Sequence, residues 1–345
     1  MSNGQRVRVG VIGVGIQGSL HAWIYSTLPE VELVAVCDLN RKRAERVAKS
    51  YGAKEVYTDY HVMLERAEID AVSIVLPDFL HKDATLHAIK SGKHVLVEKP
   101  MATSLKDAKE MVNAAKKYGV KAMVNFSNRW SPPFIHAKKA IDGGELGEIE
   151  YVYSRLSDTI YVPTKMITWS SKTNVMWFLG SHVIDLIRWL LGKPKAVEVY
   201  GVKRELKLKG LGIDTPDYIN ALVKWEGGCT SFIECCWILP ETHPVVYDLK
   251  FEIVGSEGAM YIDTSHNRCV QKLTKERYEY PEILVAYDSY GKPLGFVREG
   301  IEHFVKCVIW DLEPMATFDD GLAVTEIIEA ILKSASEGVP VKLPS

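Results

Sequence analysis

Short apolar runs that alternate with amphipathic stretches occupy the first 125 residues, and this rhythm limits the fold more than any other feature of the sequence. The apolar runs are bounded by turn residues and span 7–12, 31–37, 71–75, 94–97 and 120–124. The amphipathic stretches between them span 17–28, 41–51, 60–67, 80–91 and 104–118. Short strands that are apolar on both faces and alternate with helices form a parallel sheet covered by helices. The rhythm therefore predicts a doubly wound α/β domain over residues 1–125.

The pattern changes after the pair Pro132-Pro133. A helical stretch over 134–141 leads into longer runs of alternating apolar and polar residues, which span 148–155, 195–203, 217–225, 229–237, 246–254 and 259–263. Alternation with a period of two indicates strands with one buried face, as in antiparallel sheets. Two further helical stretches, 297–310 and 322–336, close the chain. We therefore expect an α+β domain with a large, mostly antiparallel open sheet over residues 126–345.

Composition and charge exclude several classes of protein. The chain has 345 residues, which suits two domains of ordinary size. Its 47% hydrophobic residues can form a core, and its formal net charge of -2 argues against nucleic acid or an anionic membrane surface as a partner. No apolar run approaches the roughly 18–20 residues of a membrane span. The six cysteines lack metal-ligand spacing, so we expect reduced thiols, no metal site and a cytoplasmic protein.

The segment GVIGVGIQGS places three glycines, Gly13, Gly15 and Gly18, directly after the first apolar run and at the start of a helical stretch. Glycines in this pattern allow a sharp turn. They also let the start of the helix, here Ile16 and Gln17, approach a pyrophosphate with free backbone N–H groups. This context predicts the dinucleotide-binding domain of a Rossmann fold, and a tight turn that binds nothing is the alternative.

Asp38 lies at the end of the second apolar run, about 20 residues after the glycines. A carboxylate there accepts hydrogen bonds from the 2′-hydroxyl of the adenosine ribose and repels a 2′-phosphate, which predicts NAD as the cofactor. Arg41 and Arg43 keep NADP open, because an arginine just past this strand can pair with the 2′-phosphate. A helix-capping role is the alternative for Asp38.

Two further apolar runs end in candidate residues for the same edge of the sheet. In VLPDFLHKDA, Leu76 and Pro77 are expected to shape a loop against the cofactor, and His81 serves either this pocket or the end of a helix. In HVLVEKPMA, Glu98 and Lys99 directly follow the run 94–97. Because ligands bind outside the carboxyl ends of parallel strands, we expect Lys99 to face the nicotinamide end of the cofactor. An ion pair of Glu98 in solvent is the alternative.

The chain resembles the Gfo/Idh/MocA oxidoreductases, which include inositol dehydrogenases and glucose–fructose oxidoreductase. The likeness is carried by VIGVGIQGS, DAVSIVLPDFLH, GKHVLVEKPMA, NFSNRWSP and LGSHVIDLIRWLLG, and continues through FEIVGSEGAMYID to the last helical stretch. The E-K-P motif in this position is specific, whereas the glycine motif is not. The resemblance implies NAD(P)-dependent oxidation of a hydroxyl on a sugar or cyclic polyol, with Lys99 in contact with the reacting hydroxyl.

The segment MWFLGSHVIDLIRWLLG predicts a helix over 177–191 that is buried almost all round. Polar groups on such a helix need partners or a cavity. His182 either bonds Asp185 in a packed interface, or lines the substrate cleft and takes the hydroxyl proton. The resemblance favours the second, because the family has its histidine in this motif. Asp185 either orients its neighbours or contacts substrate.

Position 178 departs from the pattern of the family. Many of its dehydrogenases have Asp four residues before the histidine, whereas this chain has Phe178. Either the proton passes by Lys99 and His182 alone, or another group substitutes. The candidates for that group are Asp158, Lys165, Lys172 and Asn174.

Further candidates lie on both sides of this helix in the sequence. Trp169, Trp177 and Tyr161 could stack on a sugar face, with core packing as the alternative for each. In NFSNRW, Asn128 and Arg129 are candidates for contact with the cofactor, and the domain junction is the alternative for Arg129.

The expected function is dehydrogenation of a secondary hydroxyl on an inositol-like polyol or a sugar. Lys99 polarises the hydroxyl, His182 relays its proton, and hydride passes to nicotinamide C4. The alternatives are a glycosidase that uses NAD transiently and a non-enzymatic NAD-binding regulator. The sheet of the second domain is too apolar on one face to stay bare, so we also expect a homodimer or homotetramer.

Overall fold

The structure is a computed structural model that describes residues 6–266 and 269–344. By its internal contacts the chain divides into two compact units. The first contains the chain up to Trp130 and the segment Ile283–Leu322, and the second contains Ser131–Glu282 and the chain from Ala323. The segment Ile283–Leu322 therefore packs with the first unit, although it follows the predicted boundary at 125/126. The boundary between domains itself stays a prediction.

The first unit is built on a parallel sheet. Its six strands are β1 (Val7–Ile12), β2 (Val31–Cys37), β3 (Glu55–Tyr57), β4 (Ala71–Ile74), β5 (His94–Val97) and β6 (Ala122–Val124). They pair in parallel in the order β3-β2-β1-β4-β5-β6. The helices between them are α1 (Ile16–Ser26), α2 (Arg41–Tyr51), α3 (Tyr60–Arg66), α4 (His81–Lys90) and α5 (Leu105–Tyr118). The predicted doubly wound fold is confirmed.

Local sequence signals set the bounds of these elements. The strands β4 and β5 are buried almost throughout, because helices cover both faces of a doubly wound sheet. Helix α2 begins where the side chain of Asn40 accepts a hydrogen bond from the backbone N–H of Arg43, and it ends at Gly52, whose φ of 77° is left-handed. Strand β3 was not predicted, because its three residues are only half-buried and form no apolar run.

The second unit is built on a mixed sheet that follows helix α6 (Pro132–Asp142). Its long strands are β7 (Ile149–Thr159), β8 (Ala196–Arg204), β9 (Tyr218–Trp225), β10 (Thr230–Leu239), β11 (Tyr247–Gly255) and β12 (Ala259–Asp263). The remaining strands are short: β13 (Lys272–Leu273), β14 (Tyr278–Glu279), β15 (Tyr287–Ser289), β16 (Lys292–Leu294) and β17 (Val341–Lys342). The large sheet has the order β12-β11-β7-β10-β9-β8-β17, and only β7 and β10 pair in parallel. The predicted mostly antiparallel sheet is confirmed.

Four further α-helices lie in the described chain: α7 (Ser181–Leu190), α8 (Lys207–Gly210), α9 (Phe296–Trp310) and α10 (Phe318–Glu337). Short 3-10 turns span Asp78–Leu80, Ser127–Trp130 and Ser170–Lys172, and a π-helical turn spans Val162–Met166. A turn of π-helix, Met176–Gly180, precedes α7, so the single helix predicted over 177–191 is divided between two helical forms. None of the helices in residues 6–266 and 269–344 is long and apolar enough to cross a membrane.

One face of the large sheet carries a continuous row of partly exposed side chains. The pairing register places the following residues side by side across six strands: Tyr261, Glu252, Tyr153, Phe232, Leu222 and Tyr200. As whole residues, Tyr261, Phe232 and Tyr200 are 74%, 43% and 41% exposed. On β10, the strand of Phe232, the residues Ile233 and Cys235 point to the opposite face of the sheet and are buried. The sheet therefore has one covered face and one that presents apolar rings.

Candidate active site

The glycine turn after β1 is shaped for close approach by a ligand. Gly13 has a left-handed φ of 82°, and a Cβ on it would lie 2.3 Å from the carbonyl oxygen of Val75. A Cβ on Gly18 would lie 1.8 Å from the carbonyl oxygen of Gly13, so side chains are excluded at both positions. A Cβ on Gly15 would meet nothing within 4 Å. Gly15 therefore faces open space at the start of α1, as the binding of a pyrophosphate at this helix end requires.

The start of α1 offers no competing group to such a ligand. Gly15 is its N-cap residue, and no side chain caps the helix. Ile16 and Gln17, the first residues of α1, are exposed, with Ile16 72% exposed. The exposed backbone at a helix N-terminus, with its partial positive charge, suits the diphosphate of a dinucleotide.

Asp38 lies directly after β2 and is held by three donors. Its Oδ2 accepts a hydrogen bond from the backbone N–H of Val14 at 3.1 Å, and its Oδ1 accepts one from Asn40 N–H at 2.8 Å. Arg43 lies with its Nη1 3.3 Å from Asp38 Oδ2. The carboxylate thus links the glycine turn to the start of α2. Contact of Asp38 with the ribose of a dinucleotide stays a prediction.

The E-K-P motif begins with a largely buried carboxylate, that of Glu98, whose side chain is 12% exposed. The Oε1 of Glu98 accepts hydrogen bonds from Asn125 Nδ2 at 2.6 Å and His21 Nε2 at 3.0 Å, and its Oε2 lies 3.2 Å from the backbone nitrogen of Lys99. Burial alone would raise the pKa of Glu98. The hydrogen bonds from His21 and Asn125 and the positive charge of Lys99 outweigh burial and lower this pKa to about 2. Glu98 is therefore a fixed negative charge beside Lys99, and the ion pair in solvent that the sequence left open is not formed.

A chain of buried hydrogen bonds continues behind Glu98. The Nδ1 of His21 lies 3.2 Å from the hydroxyl of Ser73, and that hydroxyl lies 2.7 Å from the hydroxyl of Tyr25. All three side chains are fully buried. Burial also raises the pKa of Tyr25. The network joins α1 and β4 to the end of β5, so these two elements hold the first residue of the E-K-P motif in place.

Sequence reasoning missed this network, although the sequence contains a signal for it. Ser73 is the one polar residue in the apolar run 71–75, and His21 and Tyr25 stand four positions apart, on one face of α1. A polar residue in a buried strand needs a partner, and a polar helix face turned toward it is where that partner is found.

The loop after β4 is tied to the loop after β5 by His81, the first residue of α4. The ring is 1% exposed, with Nδ1 2.7 Å from the carbonyl oxygen of Pro100 and Nε2 2.8 Å from that of Leu76. Of the two roles that the sequence left open, the structure shows His81 at a helix end. A role for Leu76, Pro77 or His81 in contact with the cofactor stays a prediction.

Arg129 is held inside the first unit. Its guanidinium is buried, donates to the carbonyl oxygen of Met315, and lies with Nη1 3.2 Å from Asp320 Oδ2. Asn128 beside it is also buried. The partners of Arg129 therefore come from the segment that returns to the first unit, and contact of Asn128 and Arg129 with the cofactor stays a prediction.

The π-helical turn before α7 places Phe178 among aromatic rings. Its ring centroid lies 6.0 Å from that of Trp169 in an edge-to-face arrangement and 6.1 Å from that of Trp237. His182 follows four residues later and is half-buried, and Asp185 is buried. Position 178, where the family resemblance led us to expect a carboxylate, is thus part of an aromatic cluster.

The structure describes the partners of two groups proposed to replace that carboxylate. Asn174 accepts hydrogen bonds from the backbone N–H groups of Met176 and Trp177, at 3.0 and 3.1 Å, and so begins the π-helical turn. Lys165 pairs with Glu241 at 2.7 Å on the surface. In the structure, both side chains therefore contact groups other than His182.

The remaining candidates of the second unit differ in exposure. Asp158 and Trp177 are buried, Trp169 is half-buried, and Lys172 and Tyr161 are exposed. Half-buried rings such as that of Trp169 can both pack and present a face to a ligand.

Among the described residues, one cluster has the composition of a metal site. Ligand atoms of Asp248, Asp263 and His266 lie within 4.8 Å of one another. Cations of the protein already balance it, because Lys250 Nζ lies 3.7 Å from Asp248 and 3.6 Å from Asp263. Arg155 Nη1 also lies 3.2 Å from Asp248. We therefore assign no metal to it.

The low pKa of Glu98 predicts a component of stability that acid removes. An unfolded glutamate titrates near 4.3, so this component is complete above about pH 5 and is lost as the pH falls toward 2. A difference of about 2 pKa units corresponds to about 3 kcal/mol of unfolding free energy. Glu98→Gln should lower stability at neutral pH and flatten this acid dependence in urea unfolding measured at several pH values. Glu65→Gln, on the exposed face of α3, is the control. Parallel pH curves for Glu98→Gln and the wild type would contradict the assignment.

Comparison with known proteins agrees with this geometry. Residues 7–126 match the family described as "Oxidoreductase family, NAD-binding Rossmann fold", and residues 134–261 match the "GFO/IDH/MocA C-terminal domain". The scyllo-inositol 2-dehydrogenase (NAD(+)) of Bacillus subtilis (strain 168) is 30% identical over 342 residues, which cover 98% of this chain and 96% of that protein. The inositol 2-dehydrogenase of Rhizobium meliloti (strain 1021) is 28% identical over 337 residues, covering 96% of this chain and 97% of that protein.

A solved structure shows the same likeness. The crystal structure of myo-inositol 2-dehydrogenase from Lactobacillus plantarum matches with a TM-score of 0.86 at 26% identity, covering 99% of this chain and 100% of that chain. Both family matches and the 30% identical relative point the same way. The chain belongs to the Gfo/Idh/MocA family of NAD-binding oxidoreductases.

Proposed function

We propose that this protein is a dehydrogenase that uses NAD to oxidise a secondary hydroxyl of a cyclic polyol of the inositol class. The observation that carries the proposal is Lys99, which stands at the carboxyl end of β5 beside the fixed charge of Glu98. The names of the relatives support the substrate class, because the scyllo-inositol and inositol 2-dehydrogenases match this chain over nearly its whole length.

The roles of the residues follow from the chemistry of the oxidation. NAD, when bound, supplies the hydride acceptor at C4 of its nicotinamide. The hydroxyl must lose its proton as the carbon loses hydride, so it needs a polarising cation and a proton acceptor. Lys99 supplies the cation, which the carboxylate of Glu98 favours. His182 accepts the proton.

The cofactor is held by the groups at the carboxyl edge of the parallel sheet. The turn of Gly13, Gly15 and Gly18 receives the pyrophosphate, and Asp38 receives the ribose hydroxyls. The contacts that complete the proposal are those of Ile16, Gln17, Arg43, Leu76, Pro77, Glu98, Asn128 and Arg129 with the cofactor, and of Trp169 and Asp185 with the polyol. His81 serves the same pocket through its contact with the carbonyl group of Leu76. We also propose a cytoplasmic location, which the buried thiols of Cys37, Cys229, Cys235 and Cys307 support, since none of these four forms a disulfide.

A panel of inositols and sugars with NAD, followed by NADH absorbance, tests the proposed function. Net NADH formation with an inositol and formation of the corresponding ketone are the expected results. Release of a sugar from a glycoside without net NADH would instead indicate transient oxidation. Binding of NAD without turnover on any member of the panel would favour a regulator.

Loss of the Lys99 ammonium should remove most of the activity. We expect Lys99→Met to lower kcat/KM by about 10²–10⁴-fold, the usual contribution of a positioned acid–base group, while NAD still binds. Lys90→Met, on the exposed face of α4, is the matched control and should keep full activity. Near-normal turnover of a folded Lys99→Met would show that this lysine takes no part in the chemistry.

Cofactor preference should follow the charge of Asp38. The wild type should bind NAD more tightly than NADP, and Asp38→Asn should improve NADP binding relative to NAD by at least about tenfold, or about 1.4 kcal/mol. The reason is that the change removes a carboxylate from the place of the 2′-phosphate and releases Arg43. Adding Arg43→Ala should cancel the gain, whereas Arg41→Ala, which pairs with Glu45, should not. Fluorescence titration of both dinucleotides measures this, and unchanged preference in Asp38→Asn would contradict the role of Asp38.

The exposed row of rings on the large sheet supports assembly of this chain with copies of itself. We propose a homodimer or homotetramer in which this face packs against the same face of a second chain. Apart from Glu252, the row consists of apolar or aromatic side chains, and partly exposed apolar areas of this kind mark interfaces. Phe232→Glu combined with Tyr200→Glu should lower the mass measured by light scattering at micromolar concentration. Tyr290→Glu, fully exposed in the turn between β15 and β16, is the control. A monomeric wild type would refute the proposal.

A further inference from the structure

The ring of His81 lies between two backbone carbonyl oxygens. The distance from Nδ1 to the oxygen of Pro100 is 2.7 Å, and that from Nε2 to the oxygen of Leu76 is 2.8 Å. Both distances are those of good N–H···O hydrogen bonds. The side chain is 1% exposed, so solvent does not compete for either nitrogen.

A neutral imidazole cannot satisfy this arrangement. It carries one N–H and one nitrogen lone pair, and a carbonyl oxygen only accepts hydrogen bonds. The neutral ring would therefore form one bond and set a lone pair against the second oxygen at under 3 Å. The imidazolium has two N–H groups, and both can donate.

Two effects oppose the charged form, and the contacts outweigh them. Burial disfavours any charge, and His81 is the first residue of α4, where the helix end is itself partly positive. The charged form gains two hydrogen bonds from a charged donor, which are roughly twice as strong as neutral ones. It also removes the repulsion between the lone pair of the neutral ring and a carbonyl oxygen. We propose that His81 is a buried imidazolium that donates to both carbonyl oxygens.

The two carbonyl groups define what this cation does. Leu76 lies in the loop after β4, and Pro100 directly follows Lys99 in the loop after β5. The strands β4 and β5 are parallel neighbours, so the cation joins the loops at their carboxyl ends. The hydrogen bonds of Glu98 with His21 and Asn125 hold the chain just before Lys99. The contact of His81 with the carbonyl oxygen of Pro100 holds the chain just after Lys99. His81 is a positioning residue for Lys99, and this part of the inference rests on the proposed function.

The protonation state can be measured on the intact wild-type protein without any assay of activity. In protein labelled with ¹⁵N-histidine, the imidazolium shows two protonated ring nitrogens, whereas a neutral ring shows one that is not protonated. The spectrum of His81→Gln identifies the resonances of His81. At about pH 8, where an ordinary histidine is neutral, we expect both nitrogens of His81 to be protonated. One unprotonated ring nitrogen under these conditions would overturn the proposal.

The positioning role needs a second readout. In His81→Gln the amide offers its NH₂ group to one carbonyl and an oxygen to the other, so one tie is lost. We expect kcat to fall by at least about tenfold while KM for NAD changes by less than about twofold, because Lys99 is displaced and the dinucleotide turn is not. His87→Gln is the matched control, since His87 lies on α4 and contacts only rings of α3 among the aromatic groups described.

The outcomes separate this inference from the proposed function. Two protonated nitrogens together with unchanged kcat in His81→Gln would overturn the positioning role. If the wild type oxidises no polyol, the proposed function fails, and the NMR spectrum still decides the protonation state. If His81→Gln does not fold, variants of the other nine histidines assign their ring signals one by one, and the signals that remain belong to His81.

Discussion

The hydrogen bonds and the charge that hold the largely buried carboxylate of Glu98 are the interactions on which the proposed chemistry depends. Placing a charge inside a protein is unfavourable unless hydrogen bonds and an opposite charge offset it. Here the offset comes from His21, Asn125 and the charge of Lys99, and the low pKa of Glu98 is the sum of these effects. The partners belong to α1 and to the residue that follows β6, so several elements must be in place before the carboxylate is satisfied. The position of Lys99 is therefore a property of the whole parallel sheet.

The fold could be predicted where burial alone decides the structure. Strands buried on both faces leave a continuous apolar run, and the observed bounds of β1, β2 and β5 equal those predicted from sequence. Pairing could not be predicted in the same way. Alternation shows which face of a strand is buried but not which neighbour it pairs with, and the parallel pair β7 and β10 inside the second sheet left no local signal. The short β3 has no apolar run to reveal it.

In the candidate site, too, the place of a residue along the chain could be predicted, whereas its contacts with residues far away in the sequence could not. The places of Asp38 and Lys99 at the carboxyl edge of the sheet could be predicted because each directly follows a recognisable strand. Their proposed roles rest on the rule that ligands bind at strand ends in such a sheet. The partners of Glu98 could not be found by that rule, because a buried polar residue reveals that it needs a partner and not which one it has. The two carbonyl contacts of His81 are even harder to predict, because every residue has a backbone oxygen and the sequence does not show which one is a partner.

Phe178 shows how a member of the family can change one part of this machinery. Its ring packs edge-to-face with Trp169 and near Trp237, so an aspartate at this position would lose aromatic contacts and bring a half-buried charge among rings. The aromatic cluster thus stabilises the π-helical turn that begins at the cap of Asn174. A phenyl ring cannot accept a proton, so the proposed proton route does not pass through residue 178. Since Asn174 and Lys165 have other partners, the proposed oxidation assigns the proton to His182 and the polarising charge to Lys99, and Asp158 and Lys172 stay the alternative acceptors.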